Sequence, residues 1–252
     1  LPPARREGFP MTTSDREQWL ERLYRQSLQD EAAFLQNIAR RLGRAEPLAE
    51  PPRHPFRGAP DFWREHSLSA EDNIALFMAN WTGAGGHAIR LPELRAAGQY
   101  VADLARERGA RSLVCQNEPE LLLWRLDEAL PDHDVLVWAA DRPGRLEAAA
   151  KADIGVVMAE YAAAHTGSIV VTSSPDKGRS VSLLPDVLVA VVPVERLHTK
   201  MGDFLGRFAE MARERMPAGI HFISGPSRSA DIENDLTIGV HGPGVVHALL
   251  VG

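Results

Sequence analysis

The feature that most constrains the fold of this chain is a repeated alternation of short apolar runs with longer amphipathic segments. Short apolar runs are typical of buried strands, and apolar residues recurring every three or four positions are typical of helices. The alternation covers 92–152 and again 186–251. A chain of this kind folds into a largely parallel sheet with helices on its faces. We therefore predict an α/β fold with a mainly parallel sheet flanked by helices.

The individual elements follow from the local patterns. Helices are predicted over 69–80, 92–108, 118–129, 143–152 and 199–215, with a further short one from 228, and strands over 112–115, 134–138, 186–192, 219–224, 235–240 and 245–251. The segment 154–172 holds two apolar runs joined around His165. These two runs are compatible either with a hairpin or with a strand–helix–strand unit.

The N-terminal part has a different composition. Residues 14–42 have the apolar spacing of a helix. Five prolines then follow between 47 and 60, a composition that favours an extended linker or arm. We predict an N-terminal helix and proline-rich arm over 1–61 and an α/β domain over 62–252.

Composition argues against several classes of function. The net charge is -6 and no long basic run offsets it, so nucleic acid is not the expected partner. The single cysteine, Cys115, cannot hold an iron–sulfur cluster by itself and fits a reducing compartment, so we expect a cytoplasmic protein without a cofactor. No apolar stretch is long enough for a membrane span, and the nine scattered histidines predict no metal site.

The first candidate motif is a Gly-Pro-Ser turn that follows the predicted strand 219–224. With a helix starting near Ser227, free backbone N–H groups would attract an anion. The guanidinium of Arg228 adds a fork that fits a carboxylate or a phosphate. An ordinary capped helix with an exposed arginine explains the pattern equally well. The ligand-binding candidates in this motif are Gly225, Ser227, Arg228 and Asp231.

The second candidate motif is the run Gly239-Val240-His241-Gly242-Pro243-Gly244. Its glycines and proline shape a tight turn that holds one imidazole at the end of a strand. His241 is therefore a candidate for substrate binding or proton transfer, with Gly242 beside it. A purely structural histidine is the alternative.

The third candidate motif is a polar loop that follows an apolar strand. It offers two cations and several hydroxyl groups to an anionic ligand, but it lacks the residue order of a Walker phosphate loop. A solvated surface loop is the alternative. The candidates in it are Asp176, Lys177, Gly178 and Arg179.

A fourth pair, Glu160 and His165, lies in an otherwise apolar stretch. Glu160 is a candidate base or nucleophile, and a carboxylate in such surroundings usually has a partner. We further expect Arg179, Ser227, Arg228 and His241 to converge on one ligand, because polar turns after parallel strands gather at the carboxyl ends of those strands.

Taken in order, three stretches resemble the LUD (lactate utilization) domain family. They are Asp176–Arg179 with Val181–Pro185, Gly225–Ser227 with Ala230–Glu233, and Gly239–Pro243. The resemblance implies a fold similar to the NagB/RpiA/CoA-transferase group. It also implies a role in oxidising L-lactate to pyruvate beside partner proteins, at least one of which carries iron–sulfur clusters. Many family members have an acidic residue where this chain has His165. The resemblance therefore implies no catalytic role for that acid here unless His165 or Glu160 replaces it, and both remain catalytic candidates.

Three functions remain open from the sequence. The chain is a non-redox subunit that binds a small organic acid such as lactate or pyruvate, or assembles the complex. Alternatively, it is an independent CoA-transferase-like enzyme with Glu160 as the nucleophile, or an interaction protein whose motifs only hold the fold. The shared fold does not choose among these functions.

Overall fold

Six strands form one parallel sheet in a computed structural model of the chain, which describes residues 13–51, 61–211, 215–232 and 235–252. The chain divides into two compact units, Leu1–Arg64 and Glu65–Gly252. Residues 52–60 of the predicted proline-rich arm lie outside the described residues, and the domain boundary at 61/62 stays a prediction.

The elements are numbered in chain order. The helices are α1 Thr13–Arg41, α2 Asp61–Glu65, α3 Ala70–Gly83, α4 Leu94–Glu107, α5 Pro119–Leu122, α6 Leu126–Ala129, α7 Arg145–Lys151, α8 Arg179–Leu183 and α9 Gly202–Ala209. The strands are β1 His87–Leu91, β2 Ser112–Cys115, β3 Asp134–Val137, β4 Ile154–Met158, β5 Tyr161–Ala163, β6 Ser168–Ser173, β7 Val187–Pro193, β8 Leu197–His198, β9 Gly219–Ile223, β10 Arg228–Ile232, β11 Asp235–Ile238 and β12 Val245–Val251.

The main sheet has the strand order β1-β12-β7-β4-β2-β3, and all its pairs are parallel. This confirms the predicted α/β class. Neighbouring side chains on each central strand enter opposite layers: Val156 packs with α4, whereas Val157 packs with α3, α7 and α8. Burial on both faces explains why the central strands are continuous apolar runs rather than alternating ones.

Two smaller sheets complete the second unit. β8, β5, β6 and β9 form a mixed sheet, and β10 pairs with β11 in an antiparallel hairpin. α9 packs against the mixed sheet, where Tyr161 stacks on Phe204 with ring centroids 4.9 Å apart. The segment 154–172 is therefore β4 followed by the β5–β6 hairpin.

Some local predictions were wrong. The helix predicted from 228 is strand β10, because Arg228 and Ser229 pair across the hairpin with Ile238 and Thr237. The helix predicted over 118–129 is broken into α5 and α6 at Arg125, whose φ of 48° lies in the left-handed region. The helix predicted over 199–215 ends earlier, at Ala209.

The N-terminal helix is present as α1, with large apolar side chains such as Tyr24 and Phe34 exposed. Within the described residues, no helix is both long enough and apolar enough to cross a membrane.

A buried histidine joins β12 to β1 and α4. His247 stacks on His87 with ring centroids 4.6 Å apart, and its Nδ1 lies 2.9 Å from the hydroxyl of Tyr100. Burial, assisted by His87 and Arg108, lowers the pKa of His247 to about 4. The folded protein therefore holds a neutral imidazole between β1 and α4 at neutral pH.

This lowered pKa predicts a loss of stability in mild acid. The unfolded chain takes up a proton near the ordinary histidine pKa, whereas the fold resists protonation until about pH 4. Neutral His247 makes its full contribution to the free energy of unfolding above about pH 6.5. That contribution falls by about 2–3 kcal/mol by about pH 4.5. Urea unfolding of the wild type and of His247→Gln at about pH 7.5 and pH 4.5 measures it. An equal loss in both proteins would contradict this assignment.

Candidate functional site

A cavity of about 600 Å³ lies between α8, β9 and the start of β12. Two loops close it, the turn 224–227 and the loop 241–243. We call it the arginine cavity. Its lining residues are Arg179, Ser182, Leu183, Ile220, His221, Phe222, Ile223, Ser224, Gly225, Pro226, Ser227, Arg228, His241, Gly242, Pro243 and Val246.

The charged side chains that line this cavity, Arg179 and Arg228, are both positive. Arg179 and Arg228 contribute guanidinium groups, and His221 and His241 contribute imidazoles. Among the described lining residues none is aspartate or glutamate, although the whole chain has a net charge of -6. A concave surface with one sign of charge concentrates ions of the opposite sign. The arrangement therefore suits an anion.

Glycine at 225 allows the wall that carries Arg228 to form. Gly225 has a φ of +94°, and a Cβ there would lie 2.9 Å from Cβ of Ala84, just after α3. This close approach lets the guanidinium of Arg228 donate a hydrogen bond to the carbonyl oxygen of Ala84. Because a carbonyl oxygen has no net charge, this hydrogen bond holds Arg228 in place without compensating its positive charge.

Ser227 ties the two loops of the arginine cavity together. Its N–H donates to the carbonyl of Pro243 at 2.9 Å, and its own carbonyl accepts from the N–H of Gly239 at 2.9 Å. The N–H of His241 donates to Oγ of Ser227 at 3.3 Å. Ser227 thus positions His241 as well as lining the cavity itself.

His221 is a lining residue that the sequence analysis missed. Its Nε2 lies 2.8 Å from Oγ of Ser173 on the neighbouring strand. Burial, and then the charge of Arg179, lowers its pKa, which favours the neutral imidazole at neutral pH. The motif search followed Gly- and Pro-rich turns, whereas His221 lies inside a strand.

A second cavity, of about 620 Å³, adjoins the first and shares Arg179, Ile220 and His221 with it. Its other lining residues are Ser173, Ser174, Lys177, Gly178, Ala218 and Gly219. The three shared residues place the two cavities side by side, and we call this pair of adjoining cavities the trough.

Two carboxylates form ion pairs with Lys177, which lines the second cavity. Its Nζ lies 2.5 Å from Oε1 of Glu118 and 3.5 Å from Oε2 of Glu160. Burial alone would lower the pKa of Lys177, but these two carboxylates more than offset burial and raise it. Lys177 is therefore a paired cation at neutral pH, and Glu160 is one of its partners. Glu118 was not singled out from the sequence.

The carboxylates on Lys177 lie at the switch point of the main sheet. Glu118 follows β2 and Glu160 follows β4, which are neighbours in the sheet. From β2 the chain continues to the edge strand β3, whereas from β4 it continues towards β7 and β12. Crevices of this kind, outside the carboxyl ends of two strands, are usual ligand sites in open α/β sheets.

The loop that carries Lys177 is held at this switch point by its neighbours. The side chain of Asn117 donates to Oδ1 of Asp176 at 3.0 Å, and its backbone N–H donates to the carbonyl of Asp176 at 3.0 Å. Gly178 packs closely against Trp138, because a Cβ at position 178 would come within 2.1 Å of the ring. Asp176 and Gly178 therefore fix the start of α8 and with it Arg179.

The remaining candidate, His165, does not line either cavity. It lies in the turn between β5 and β6, where its Nε2 is 3.2 Å from Nε2 of His66. The side chain of Asn80 in α3 donates to the carbonyls of Ala164 and His165 at 2.8 and 3.0 Å. The structure thus separates His165 from the other candidates.

The predicted residues fall into distinct groups. The arginine cavity is lined by Arg179, Gly225, Ser227, Arg228, His241 and Gly242, and its neighbour by Lys177 and Gly178. The side chain of Asp231 lies outside the described residues. That these residues bind a ligand stays a prediction.

Two of the reasons for expecting convergence were wrong. No helix begins near Ser227, because Arg228 opens strand β10. The turn at Gly242 precedes β12 and so lies at the amino end of that strand rather than at a carboxyl end. Within the described residues, no group of three His, Cys, Asp or Glu side chains is placed to hold a metal ion.

The model of the LUD domain family matches residues 74–251. The chain is 35% identical over 221 residues to lactate utilization protein C from Halalkalibacterium halodurans, covering 86% of this chain and 95% of that protein. It is 29% identical to lactate utilization protein C from Bacillus subtilis, covering 86% of this chain and 94% of that one.

Among solved structures, a DUF162 family protein from Deinococcus radiodurans matches with a TM-score of 0.54. The match covers 73% of this chain and 99% of that one at 23% identity. At this level of identity the likeness shows the fold alone.

The geometry around Gly225 predicts a strong effect of a single methyl group. Gly225→Ala would force a left-handed φ on alanine and press its Cβ against Ala84, so we expect a loss of about 1–3 kcal/mol in the free energy of unfolding. Gly202→Ala is the matched control, because no atom lies within 4 Å of a Cβ there. Equal urea midpoints for the two variants would contradict the close approach described here.

Proposed function

Because this chain belongs to the LUD domain family, we propose that it takes part in lactate utilization by binding an organic anion in the arginine cavity. It does so as a subunit without a redox centre of its own. The proposal rests on the similarity to proteins named lactate utilization protein C, and on the chemistry of one cavity.

The observation that carries the proposal is the pair of arginines in the arginine cavity. Within the described residues, neither Arg179 nor Arg228 forms an ion pair, and Arg228 is anchored by an uncharged carbonyl. A guanidinium of this kind can bind a carboxylate through two parallel hydrogen bonds. Lactate and pyruvate each carry one such carboxylate. Ser227 and His241 add a hydroxyl and an imidazole beside it.

The redox step is assigned to partner proteins. Oxidation of lactate to pyruvate removes two electrons and two protons, and this chain has one cysteine, Cys115, whose pKa burial raises to about 12. Iron–sulfur clusters take several cysteine thiolates. The resemblance to the family implies partners that carry such clusters, and we place the chain with them in the cytoplasm, where a lone thiol stays reduced.

The alternative of a CoA-transferase-like enzyme has less support. Its nucleophile would be Glu160, whose carboxylate lies 3.5 Å from Nζ of Lys177. An ion pair with a raised lysine pKa stabilises the carboxylate and makes it a weaker nucleophile. This location fits a structural role at the switch point better than attack on a thioester.

Loss of either arginine should weaken anion binding. A charge-assisted contact contributes roughly 1.5–3 kcal/mol, so Arg179→Ala and Arg228→Ala should each weaken binding about 10- to 150-fold. Calorimetric titration with lactate, pyruvate and inorganic phosphate measures this change. Arg106→Ala is a matched control, because Arg106 also donates to a backbone carbonyl, that of Ala129 at 2.8 Å, but lies on α4.

The outcomes separate the three functions. If no anion binds the wild type, the anion-binding proposal fails and an interaction protein is favoured. If an anion binds equally well to all three variants, the arginine cavity is not the site. An acyl-enzyme trapped on Glu160 with a CoA thioester would instead support the transferase.

A further inference from the structure

We propose that the natural ligand of the trough is a phosphate monoester with an apolar body, which is a dianion larger than lactate. The inference rests on the proposed function, because it assumes that the arginine cavity binds an anion. It adds the chemical class of that anion. Size, charge and the apolar wall of the trough each support it.

The size of the trough argues against a three-carbon acid as the whole ligand. The two adjoining cavities have volumes of about 600 and 620 Å³ and share Arg179, Ile220 and His221. Lactate has six heavy atoms and occupies on the order of 100 Å³, since one water takes about 30 Å³. Cavities of several hundred Å³ usually hold ligands of drug size. Lactate would leave most of the trough filled with water.

The charge of the site argues for a dianion. A carboxylate neutralises one guanidinium, whereas the arginine cavity contains two, from Arg179 and Arg228, and neither forms an ion pair within the described residues. A phosphate monoester carries close to two negative charges above its second pKa of about 6. Its charge equals that of the two arginines that line the cavity, and its oxygens accept hydrogen bonds from more directions than a planar carboxylate does.

Neutral donors lie beside the two arginines. Oγ of Ser227 accepts from the N–H of His241, which leaves the hydroxyl proton of Ser227 free to donate. His221 is held at the shared wall by Ser173. An anion in the arginine cavity therefore has a hydroxyl and an imidazole within the same cavity, and the three free oxygens of a phosphate monoester can accept from several such donors.

The apolar wall argues for an organic body on that phosphate. Phe222 lines the arginine cavity and keeps 45% of its surface exposed. Leu183 and Pro226 line the same cavity. Inorganic phosphate would leave these surfaces in contact with water, whereas an apolar group joined to the phosphate would cover them.

The test compares four probes on the full chain at about pH 8, where the phosphate monoester is a dianion. The probes are phenyl phosphate, benzoate, inorganic phosphate and L-lactate, each titrated calorimetrically. We expect phenyl phosphate to bind at least about 10-fold more tightly than any of the other three, the gain expected from one further charge-assisted contact. Benzoate has the same ring with a single charge, and inorganic phosphate has the charge without the ring.

Two variants distinguish the contribution of the arginine charge to binding from the contribution of the apolar wall. Arg179→Gln should weaken phenyl phosphate about 10-fold or more, and by a larger factor than benzoate, because the second negative charge of the phosphate strengthens its contact with a guanidinium group. Phe222→Ala should weaken phenyl phosphate and leave inorganic phosphate unchanged. Arg106→Gln, on the opposite side of the main sheet, should change neither.

The possible results distinguish this inference from the function on which it rests. If lactate or benzoate binds as tightly as phenyl phosphate, the inference that the ligand is a dianion is wrong, but the proposal that the arginine cavity binds an anion stands. If inorganic phosphate binds as tightly as phenyl phosphate, the organic body is wrong and the inference is overturned. If none of the four probes binds, the proposed function and this inference both fail.

Discussion

The burial of the main sheet on both faces is the constraint on which the rest of the structure depends. β4 is buried at every position, and β7 is buried from Val187 to Val192, so each face must be covered closely by helices. On one face α8 lies so near β4 that a Cβ on Gly155 would come within 2.0 Å of the carbonyl oxygen of Val181. This close packing fixes α8, and α8 begins with Arg179. The position of the most central cation in the trough is therefore determined by the packing of the core.

The trough does not lie where a parallel sheet alone would place a site. Lys177 and its two glutamates occupy the carboxyl ends of β2 and β4, which is the expected place. His241, in contrast, precedes β12 and belongs to its amino end. β9, in the second sheet, joins these two regions, because His221 and Ile220 line both cavities. The site is thus a product of the second sheet and the hairpin laid beside the main sheet, a long-range arrangement that the strand–helix alternation does not encode.

The sequence predicted those parts of the fold that depend on local pattern. The apolar runs located β2, β7 and β12, and the helices predicted over 69–80 and 92–108 are present as α3 and α4. β10 was misread because its stabilising partners are across the hairpin rather than along the chain. The four residues that were expected to converge, Arg179, Ser227, Arg228 and His241, do line one cavity, but the reasoning that linked them was partly wrong. His221 and Glu118 were missed because each gains its significance from neighbours distant in sequence.

The cations of the second unit differ in whether a carboxylate of the fold compensates their charge. We use this difference to tell cations with a structural role from cations that are available to a ligand. Arg90 pairs with Glu71, and Lys177 with Glu118 and Glu160, so the charges of these cations are compensated within the fold. The compensation is visible in the raised pKa of both cations. Arg228 is anchored instead by the carbonyl of Ala84, which orients the guanidinium but leaves its charge uncompensated. Arg228 is exposed, so water solvates its charge in the folded protein and that charge remains available to an anion in the arginine cavity.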